Sequence, residues 1–323
     1  MKETLLQLKQ VSMRFKTGKQ YIQAVNEVSL DFNKGETVTI MGESGCGKST
    51  LGRLSIGLTK PSSGQILYKN SDVWGLDKKT HKTFRRSAQL VHQNPYGTFN
   101  PMKTIFDALS APILHYGVVD NKKSAWEKAK ELLEIVALEP PEDFLDRYPH
   151  QLSGGQLQRI AIARTISIQP EFVVADEITS MLDASLRIEV LDLLLALKEK
   201  FGITYMFISH DFPQSKYFAS RGKCIIMYLG DVVEEGTVED LLQKALHPYT
   251  EALILSTPIK DPELARKRPL PKLRSLDLPD PVNPPSGCKF HPRCPEATEL
   301  CEKTKPELIE VEKGRLVACH KYR

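Results

Sequence analysis

A run of glycine, lysine and hydroxyl residues, GESGCGKST from Gly42 to Thr50, has the composition of a phosphate-binding loop. An apolar run that predicts a buried strand, ETVTI, precedes it, and a predicted helix, STLGRLSIGL, follows it. Glycines in this pattern let consecutive backbone N–H groups turn towards a phosphate, and the helix N-terminus adds its positive dipole end. Lys48 is expected to reach the β- and γ-phosphates of a nucleotide, and the Ser49 hydroxyl to ligate Mg²⁺. A chance glycine turn is the alternative, which the flanking strand and helix disfavour.

Two adjacent carboxylates, Asp176 and Glu177, follow the apolar run FVVA. That run predicts a central strand whose carboxyl end lies at the same sheet edge as the phosphate loop. Asp176 would hold Mg²⁺ there, directly or through water, and Glu177 would polarise the attacking water. The alternative is that the two acids have no catalytic role and only mark the end of a buried strand at the start of a loop. That alternative would be favoured if the chain had no phosphate loop.

Two further polar residues, Gln93 and His210, each come just after a predicted strand, AQLVH and YMFIS respectively. The carboxyl ends of these strands are expected at the edge that holds Lys48 and Asp176, so both side chains are candidates for the same site. For His210 the spacing alone leaves a structural and a functional role equally open, since a lone histidine is often structural.

A second glycine-rich helix start, LSGGQLQR from Leu152 to Arg159, precedes an amphipathic pattern and is itself an anion-binding arrangement. A chain with two phosphate-binding elements and one Mg²⁺ carboxylate suggests an active site that a partner completes. A glycine-capped helix entry would explain the two glycines, but not their occurrence together with the other motifs.

Four of the six cysteines crowd the last 36 residues with the spacing C-x₅-C-x₆-C-x₁₇-C. They are Cys288, Cys294, Cys301 and Cys319. In a reducing compartment such crowding favours metal or cluster binding over disulfides. Structural zinc sites prefer shorter spacings, and four thiolates suit either Zn²⁺ or an iron–sulfur cluster. The spacing therefore leaves a cluster, zinc and no metal open.

The composition disfavours several classes of function. Of the 323 residues, 41% are hydrophobic and 26% are charged, as in ordinary globular proteins. The formal net charge is +4 with scattered lysines and arginines, so no nucleic-acid partner is expected. No apolar run is long enough to cross a bilayer, and the N-terminus, MKETLLQLKQ, lacks a signal-peptide core. A cytoplasmic location is expected.

The predicted elements that position these residues alternate between strands and helices, which indicates an α/β fold. We expect a P-loop NTPase core with a mixed, largely parallel sheet and an antiparallel β subdomain. A helical stretch at about residues 94–163 interrupts the alternation and predicts an inserted α-helical subdomain. Residues 247–287 are rich in proline and predict a linker, and residues 288–323 form a Cys-rich C-terminal extension. The linker is expected to separate the extension from the phosphate loop.

In this order, the motifs resemble those of the ATP-binding cassette (ABC) ATPases, which places an ABC ATPase domain at residues 1–246. The matching segments are GESGCGKST, Gln93, LSGGQ, VVADE, SMLD and SHD. The resemblance implies ATP and Mg²⁺ as ligands. It also implies a head-to-tail dimer in which ATP lies between the phosphate loop of one subunit and the signature motif, LSGGQ, of the other.

The resemblance implies a role for each candidate residue. Glu177 is the implied catalytic base, His210 the contact to the γ-phosphate, and Phe15 the side chain that stacks on adenine. Gln93 would sense Mg²⁺ and couple to membrane subunits. ATP-binding residues of the same subunit are Phe15, Gly42, Glu43, Ser44, Gly45, Cys46, Gly47, Lys48, Ser49, Thr50 and Gln93. Residues that face the partner's nucleotide are Ser153, Gly154, Gly155, Gln156 and Asp183, and the implied Mg²⁺ ligands are Ser49, Gln93 and Asp176.

A narrower resemblance, to the ATPases of oligopeptide/dipeptide importers, covers nearly the whole chain. It rests on HQNPYGTFNPMKT, HPYTEALILSTP and the tail GCKFHPRCPEATELCEKTKPEL. It implies two transmembrane permease subunits, an extracytoplasmic substrate-binding protein and a second, paralogous ABC ATPase subunit. The chain would then lie on the cytoplasmic face of the cell membrane. Some relatives carry a 4Fe–4S cluster on the matching cysteines, which favours a cluster over the alternative, Zn²⁺.

Some importers of this class take up nickel or oligosaccharides, so these cargoes are alternatives to peptides. A soluble, non-transport ABC ATPase and a redox-sensing binding module are weaker hypotheses. The sequence departs from the family at Ile178, Met181 and Asn94, where proline, alanine and aspartate are usual. None of the three removes a phosphate or Mg²⁺ ligand, so an active ATPase is expected.

Overall fold

The computed structural model describes residues 3–219, 222–257, 263, 266 and 269–322. The chain divides into two compact units, each with its own set of internal contacts. The first unit comprises Met1–Glu3, Asn33–Glu36 and Gly75–Met206. The second unit comprises Thr4–Phe32, Thr37–Trp74 and Phe207–Arg323.

Strands and helices alternate through much of the described chain. The strands are β1 (Thr4–Thr17), β2 (Gln20–Asn33), β3 (Thr37–Met41), β4 (Ser63–Tyr68), β5 (Ser71–Asp72), β6 (Ala88–Val91), β7 (Phe172–Asp176), β8 (Thr204–Ile208), β9 (Lys223–Tyr228), β10 (Asp231–Thr237), β11 (Ile309–Glu312) and β12 (Arg315–Val317). The helices are α1 (Lys48–Ser55), α2 (Lys78–Ser87), α3 (Ile105–His115), α4 (Lys122–Ile135), α5 (Glu142–Leu145), α6 (Gly154–Ile166), α7 (Ala184–Phe201), α8 (Phe212–Ala219), α9 (Val238–Gln243), α10 (Pro248–Ser256) and α11 (Glu299–Lys303).

The second unit contains an antiparallel sheet and most of a mixed sheet. The antiparallel sheet has the strand order β2-β1-β4-β5. In the mixed sheet of this unit the order is β11-β12-β10-β9-β3, with β3 and β9 parallel and β9, β10, β12 and β11 antiparallel in turn. Strand β3 is buried along its whole length, as expected for a parallel strand that is covered on both faces.

The first unit carries the strand order β8-β7-β6, in which β6 and β7 are parallel. Every residue of β7 and β8 is buried. Helices α3, α4 and α6 pack on one another, and α6 also packs against β6. These elements and those of the second unit confirm the predicted α/β fold with a mixed sheet and an antiparallel sheet.

The predicted linker and extension are more structured than their proline content indicated. Helix α10 begins at Pro248, inside the range predicted as linker, and buries Tyr249 in a core with Met41 and Tyr228. Phe290 and Cys294 of the extension join the same core. The few apolar residues of this region suffice because they dock on a core that the rest of the unit already forms.

The extension also adds strands β11 and β12 to the edge of the mixed sheet, where β12 pairs with β10. Beneath this pairing the carboxylate of Glu234, which is fully buried, accepts hydrogen bonds from the backbone N–H groups of Leu246 (2.8 Å) and His247 (2.9 Å). Arg315 of β12 lies 3.4 Å from the same carboxylate and donates to the carbonyl of Lys244. A buried, hydrogen-bonded ion pair therefore fastens the extension to the unit.

We predict that Arg315→Gln lowers the free energy of unfolding by about 3 kcal/mol, because it leaves the buried charge of Glu234 without its cation. The matched control is Lys244→Gln, which breaks an exposed pair with Glu312 (3.3 Å) in the same region and should cost at most about 1 kcal/mol. Urea denaturation of both variants measures the difference. Equal, small losses in the two variants would show that the buried pair does not hold the extension.

Candidate active site

The phosphate loop connects β3 to α1 in the second unit. Its backbone runs so close to neighbouring strands that two positions accept no side chain. A Cβ at Gly42 (φ 151°) would lie 2.3 Å from the carbonyl oxygen of Met227, and one at Gly47 (φ 107°) 2.0 Å from that of Ala24. Both φ values lie in the region that glycine alone adopts readily. Glycine at these positions therefore serves close packing of the loop as well as access to phosphate.

Lys48, the first residue of α1, points back into the loop. Its side chain is buried, and its Nζ donates to the carbonyl oxygens of Gly42 (2.8 Å) and Glu43 (3.0 Å). Cys46 is also buried, and burial raises the pKa of its thiol although Lys48 acts in the opposite direction. The thiol is thus neutral and fills space, while the ammonium of Lys48 is held within the loop. Ser44, Gly45 and Ser49 are exposed.

His210 and Phe15 lie elsewhere in the same unit. The backbone N–H of Ser209 donates to the carbonyl of Ile40 (3.1 Å), so His210 leaves β8 beside the end of β3, from which the phosphate loop starts. The His210 side chain is exposed. Phe15 lies near the end of β1 and is 42% exposed, which leaves its ring accessible to a flat ligand.

In the first unit, the structure brings Gln93 and Glu177 together. Gln93 Nε2 donates to Glu177 Oε2 (3.0 Å) and to Ser180 Oγ (3.2 Å). Glu177 has φ 45°, a left-handed conformation that is unfavourable for a glutamate and that is typical of functional sites. Asp176, the last residue of β7, is buried. The predicted base and the predicted sensing glutamine are therefore in direct contact.

The signature motif forms the N-terminus of α6. Ser153 caps the helix by accepting from the N–H of Gln156 (3.3 Å), and Gln156 Oε1 accepts in return from the N–H of Ser153 (3.0 Å). This reciprocal capping box fixes the helix start. Gly155 is buried, and a Cβ there would lie 3.0 Å from a methyl group of Leu186. Gly154 is half-buried at the first helical position.

Asp183 plays the same capping role for α7. Its carboxylate accepts from the N–H of Leu186 (3.0 Å) and the hydroxyl of Ser185 (2.9 Å), and these hydrogen bonds hold its pKa below the usual value. The two departures in the preceding loop differ in environment: Ile178 is buried, whereas Met181 is 59% exposed. Ile178 thus belongs to the core, and Met181 lies on the surface.

Sequence comparison links this set of motifs to one family. The family model described as ABC transporter matches residues 25–180, and that described as Oligopeptide/dipeptide transporter, C-terminal region, matches residues 233–301. The putative oligopeptide transport ATP-binding protein YkfD of Bacillus subtilis is 44% identical over 99% of this chain and 96% of its own length. The chain belongs to the oligopeptide/dipeptide transporter family of ABC ATPases.

Other relatives agree with this assignment. The dipeptide transport ATP-binding protein DppF of Haemophilus influenzae is 43% identical over 93% of this chain and 89% of its own length. Among solved structures, the ATP-binding cassette MJ0796, determined as a dimer bound to ADP and Pi, has a TM-score of 0.65 and 32% identity over 72% of this chain and 99% of its own. The chain is an ABC-type ATPase. None of its described helices is long and apolar enough to span a membrane.

The four cysteines of this ABC ATPase's extension line one cavity of about 240 Å³, together with His291 and His320. All six cysteines of the chain are free thiols. Burial raises the pKa of Cys288 to about 12 and also raises the pKa values of Cys294 and Cys319. Across the described residues, no three His, Cys, Asp or Glu side chains are placed as the ligands of a metal ion. The thiols are thus gathered at one cavity, without the geometry of a single-ion site.

Two residues of the site were missed at the level of sequence. Tyr249 Oη accepts from the backbone N–H of Glu43 (2.8 Å), and Arg293 donates from both Nη atoms to the carboxylate of Glu43 (2.9 and 3.0 Å). The expectation that the linker separates the extension from the phosphate loop is therefore wrong. Tyr249 lies in HPYTEAL and Arg293 in FHPRCP. Arg293 is 250 positions from Glu43, so no local sequence pattern could predict the contact.

Proposed function

We propose that this ABC ATPase hydrolyses ATP to energise the uptake of peptides through partner membrane subunits. The observation that carries the proposal is the match over nearly the full length, extension included, to proteins named for oligopeptide and dipeptide transport. An extension of this kind, absent from a bare cassette, distinguishes this group from other ABC ATPases. An importer of peptides needs two permease subunits and an extracytoplasmic binding protein, and this chain is proposed to act on the cytoplasmic face of the membrane.

The proposed chemistry is in-line attack of water on the γ-phosphorus of ATP. Glu177 takes the proton of the attacking water, the bond to the β,γ-bridging oxygen breaks, and ADP and phosphate are formed. Gln93 orients the Glu177 carboxylate through their 3.0 Å hydrogen bond. Lys48 and the backbone N–H groups of residues 42–50 bind the phosphates, His210 contacts the γ-phosphate, and Phe15 stacks on the adenine.

Residues with oxygen ligands are proposed to hold Mg²⁺. Ser49 offers an exposed hydroxyl at the start of α1, Asp176 a carboxylate at the end of β7, and Gln93 a side-chain amide oxygen. These hard oxygen donors fit the ligand preference of Mg²⁺. When bound, the ion neutralises charge that develops on the β- and γ-phosphate oxygens.

A second ABC ATPase subunit, a paralogue of this chain, is proposed to complete the site. The N-terminus of α6 presents Ser153, Gly154 and Gly155 with the positive end of a 13-residue helix. Such an end suits the γ-phosphate of a nucleotide held by another subunit. The dimeric cassette MJ0796, bound to ADP and Pi, supports this arrangement, in which Gln156 and Asp183 also face the partner.

A groove in the first unit is proposed as the seat of a cytoplasmic permease segment. It has a volume of about 680 Å³ and is lined by β6, by the loop that follows Gln93, and by α3 and α6. Arg164 of α6 donates to the carbonyl of Thr98 (2.9 Å) in that loop and covers the ring of Phe99 (4.4 Å). An occupant would thus contact both the Gln93 loop and the signature helix, which is what coupling to transport requires.

The extension is proposed to bind a 4Fe–4S cluster through Cys288, Cys294, Cys301 and Cys319. All four cysteines line one cavity of about 240 Å³. The fit is supported by four thiols at one cavity, since each cluster iron takes one thiolate. A cluster that binds the folded extension and not the unfolded chain would also stabilise the extension.

The nucleotide assignment predicts different defects for two substitutions. Lys48→Ala should weaken ATP binding itself, because Lys48 contacts phosphate in the ground state. Glu177→Gln should retain ATP binding and lower turnover at least about 100-fold, because only the general base is lost. Nucleotide titrations and steady-state ATPase assays on the assembled transporter measure the two quantities. Turnover at the normal rate with Glu177→Gln would refute the assignment of the base.

The groove assignment predicts that Ala111→Trp blocks assembly. Ala111 is exposed and lines the groove, so an indole there should fill it and reduce co-purification with the permease subunits, while ATP binding stays intact. Lys123→Trp is the matched control, since it places the same side chain on an exposed position of α4 outside the groove. Normal assembly of both variants would exclude the groove as the docking site.

The cluster assignment predicts brown protein after anaerobic purification, with broad absorption near about 400 nm and about four irons per chain. Cys294→Ser should bleach the colour and make the extension sensitive to protease. Cys224→Ser is the matched control, because Cys224 is buried in β9 and should leave the colour unchanged. Colourless anaerobic protein with one tightly bound zinc would favour Zn²⁺ instead.

A further inference from the structure

Glu43 places a carboxylate in the loop that is proposed to bind the phosphates of ATP. It is the second residue of the motif and directly follows Gly42. ATP carries several negative charges, so an uncompensated carboxylate beside it would oppose binding. The loop needs either a neutral residue at this position or a cation that cancels the charge.

Every polar group of Glu43 has a partner within the second unit. Its N–H donates to Tyr249 Oη (2.8 Å), and its carbonyl accepts from Lys48 Nζ (3.0 Å). Its two carboxylate oxygens accept from the two Nη atoms of Arg293 (2.9 and 3.0 Å). The arginine thus binds the carboxylate through two hydrogen bonds. They hold the carboxylate in one direction and bring a positive charge against it.

Arg293 is itself held by contacts with the extension and with β9. Its side chain is buried, and its guanidinium lies over the rings of Tyr228 (5.9 Å) and Phe290 (5.7 Å). Its backbone N–H donates to the carbonyl of Phe290 (3.0 Å), in the same turn that carries Cys294. A planar, stacked guanidinium loses little conformational freedom when it binds a carboxylate, so the pair is pre-organised.

We propose that Arg293 is a positioning residue for nucleotide binding, which cancels the charge of Glu43 and turns its carboxylate towards the extension. The phosphate loop then presents N–H groups and Lys48 to the nucleotide without a competing anion. This inference rests on the proposed assignment of residues 42–50 to phosphate. It makes the cysteine-bearing extension part of the nucleotide site.

A purely structural role for Arg293 is the alternative, and the same extension offers a matched case. Arg315 is also buried and pairs with a glutamate, Glu234, but its hydrogen bonds go to Glu234, Glu312 and Lys244 and not to the phosphate loop. Loss of either arginine should loosen the extension. Only the loss of Arg293 should leave a negative charge beside the nucleotide, and only that defect can be relieved by removing the charge.

The test is a double-mutant cycle on the full chain with Arg293→Gln, Glu43→Gln and both together, read out as the Kd for MgATP. Arg293→Gln should raise Kd at least about tenfold, and the effect should shrink at high salt. Adding Glu43→Gln should restore most of the affinity that Arg293→Gln loses. If Arg315→Gln weakens MgATP binding at all, adding Glu43→Gln to it should restore none of the lost affinity.

Two further variants separate the ways in which the test can fail. Lys48→Ala with normal ATP binding would overturn the phosphate assignment itself. Two results would overturn only the role of Arg293, provided that Lys48→Ala clearly weakens MgATP binding. One is an unchanged Kd with Arg293→Gln, and the other is a Kd in the double variant as high as in Arg293→Gln alone. Should Arg293→Gln fail to fold, Arg293→Lys keeps the charge without the two-point contact. It should lose less affinity than Lys48→Ala, and an equal loss would contradict charge cancellation.

Discussion

The close approach of the phosphate loop to its neighbours is the constraint on which the rest of the second unit depends. The loop passes so near Ala24 of β2 and Met227 of β9 that a Cβ at Gly47 or Gly42 would fall 2.0 or 2.3 Å from a backbone oxygen. The N–H of Gly230 donates to the carbonyl of Cys46 (2.9 Å), which fixes the middle of the loop as well. A loop held in this way keeps its N–H groups oriented before any ligand arrives, which is the physical basis of pre-organised anion binding.

This constraint explains why the extension matters. A tightly held loop fixes the backbone of Glu43, so the charge of its carboxylate must be cancelled by a cation within reach of its side chain. Arg293 supplies that cation, and Tyr249 accepts from the backbone N–H of Glu43, both from segments that lie far along the chain. Tyr249 packs in an aromatic cluster with Tyr228 and Phe290, and the guanidinium of Arg293 lies over the rings of Tyr228 and Phe290. The core that stabilises the extension is therefore the same core that positions the partners of the loop.

The sequence predicted those parts of the site that lie within short segments. The glycine spacing of the loop, the carboxylates after FVVA and the capped start of α6 each leave a local pattern that elementary chemistry explains. The rule that strand ends meet at one sheet edge predicted that Gln93 and Asp176 share an edge, but not the hydrogen bond between Gln93 and Glu177, 84 positions apart. No such rule links Glu43 to Arg293, because an ion pair between a loop and a tail follows no periodicity. The helix at Pro248 was missed because the prolines that follow it suggested a linker, although proline commonly starts a helix.

The two glutamates of the nucleotide chemistry show how the structure gives one residue type opposite roles. Glu43 accepts two charge-assisted hydrogen bonds from a buried guanidinium, which hold its carboxylate in one direction and set a positive charge against it. Glu177 accepts instead from the neutral amide of Gln93, which orients a carboxylate without cancelling its charge. Its left-handed backbone conformation costs free energy that β7 and the Thr179–Leu182 turn must offset. The carboxylate that is proposed to accept a proton is thus aimed by an amide, and the carboxylate that is proposed to stay out of the reaction is bound by an arginine.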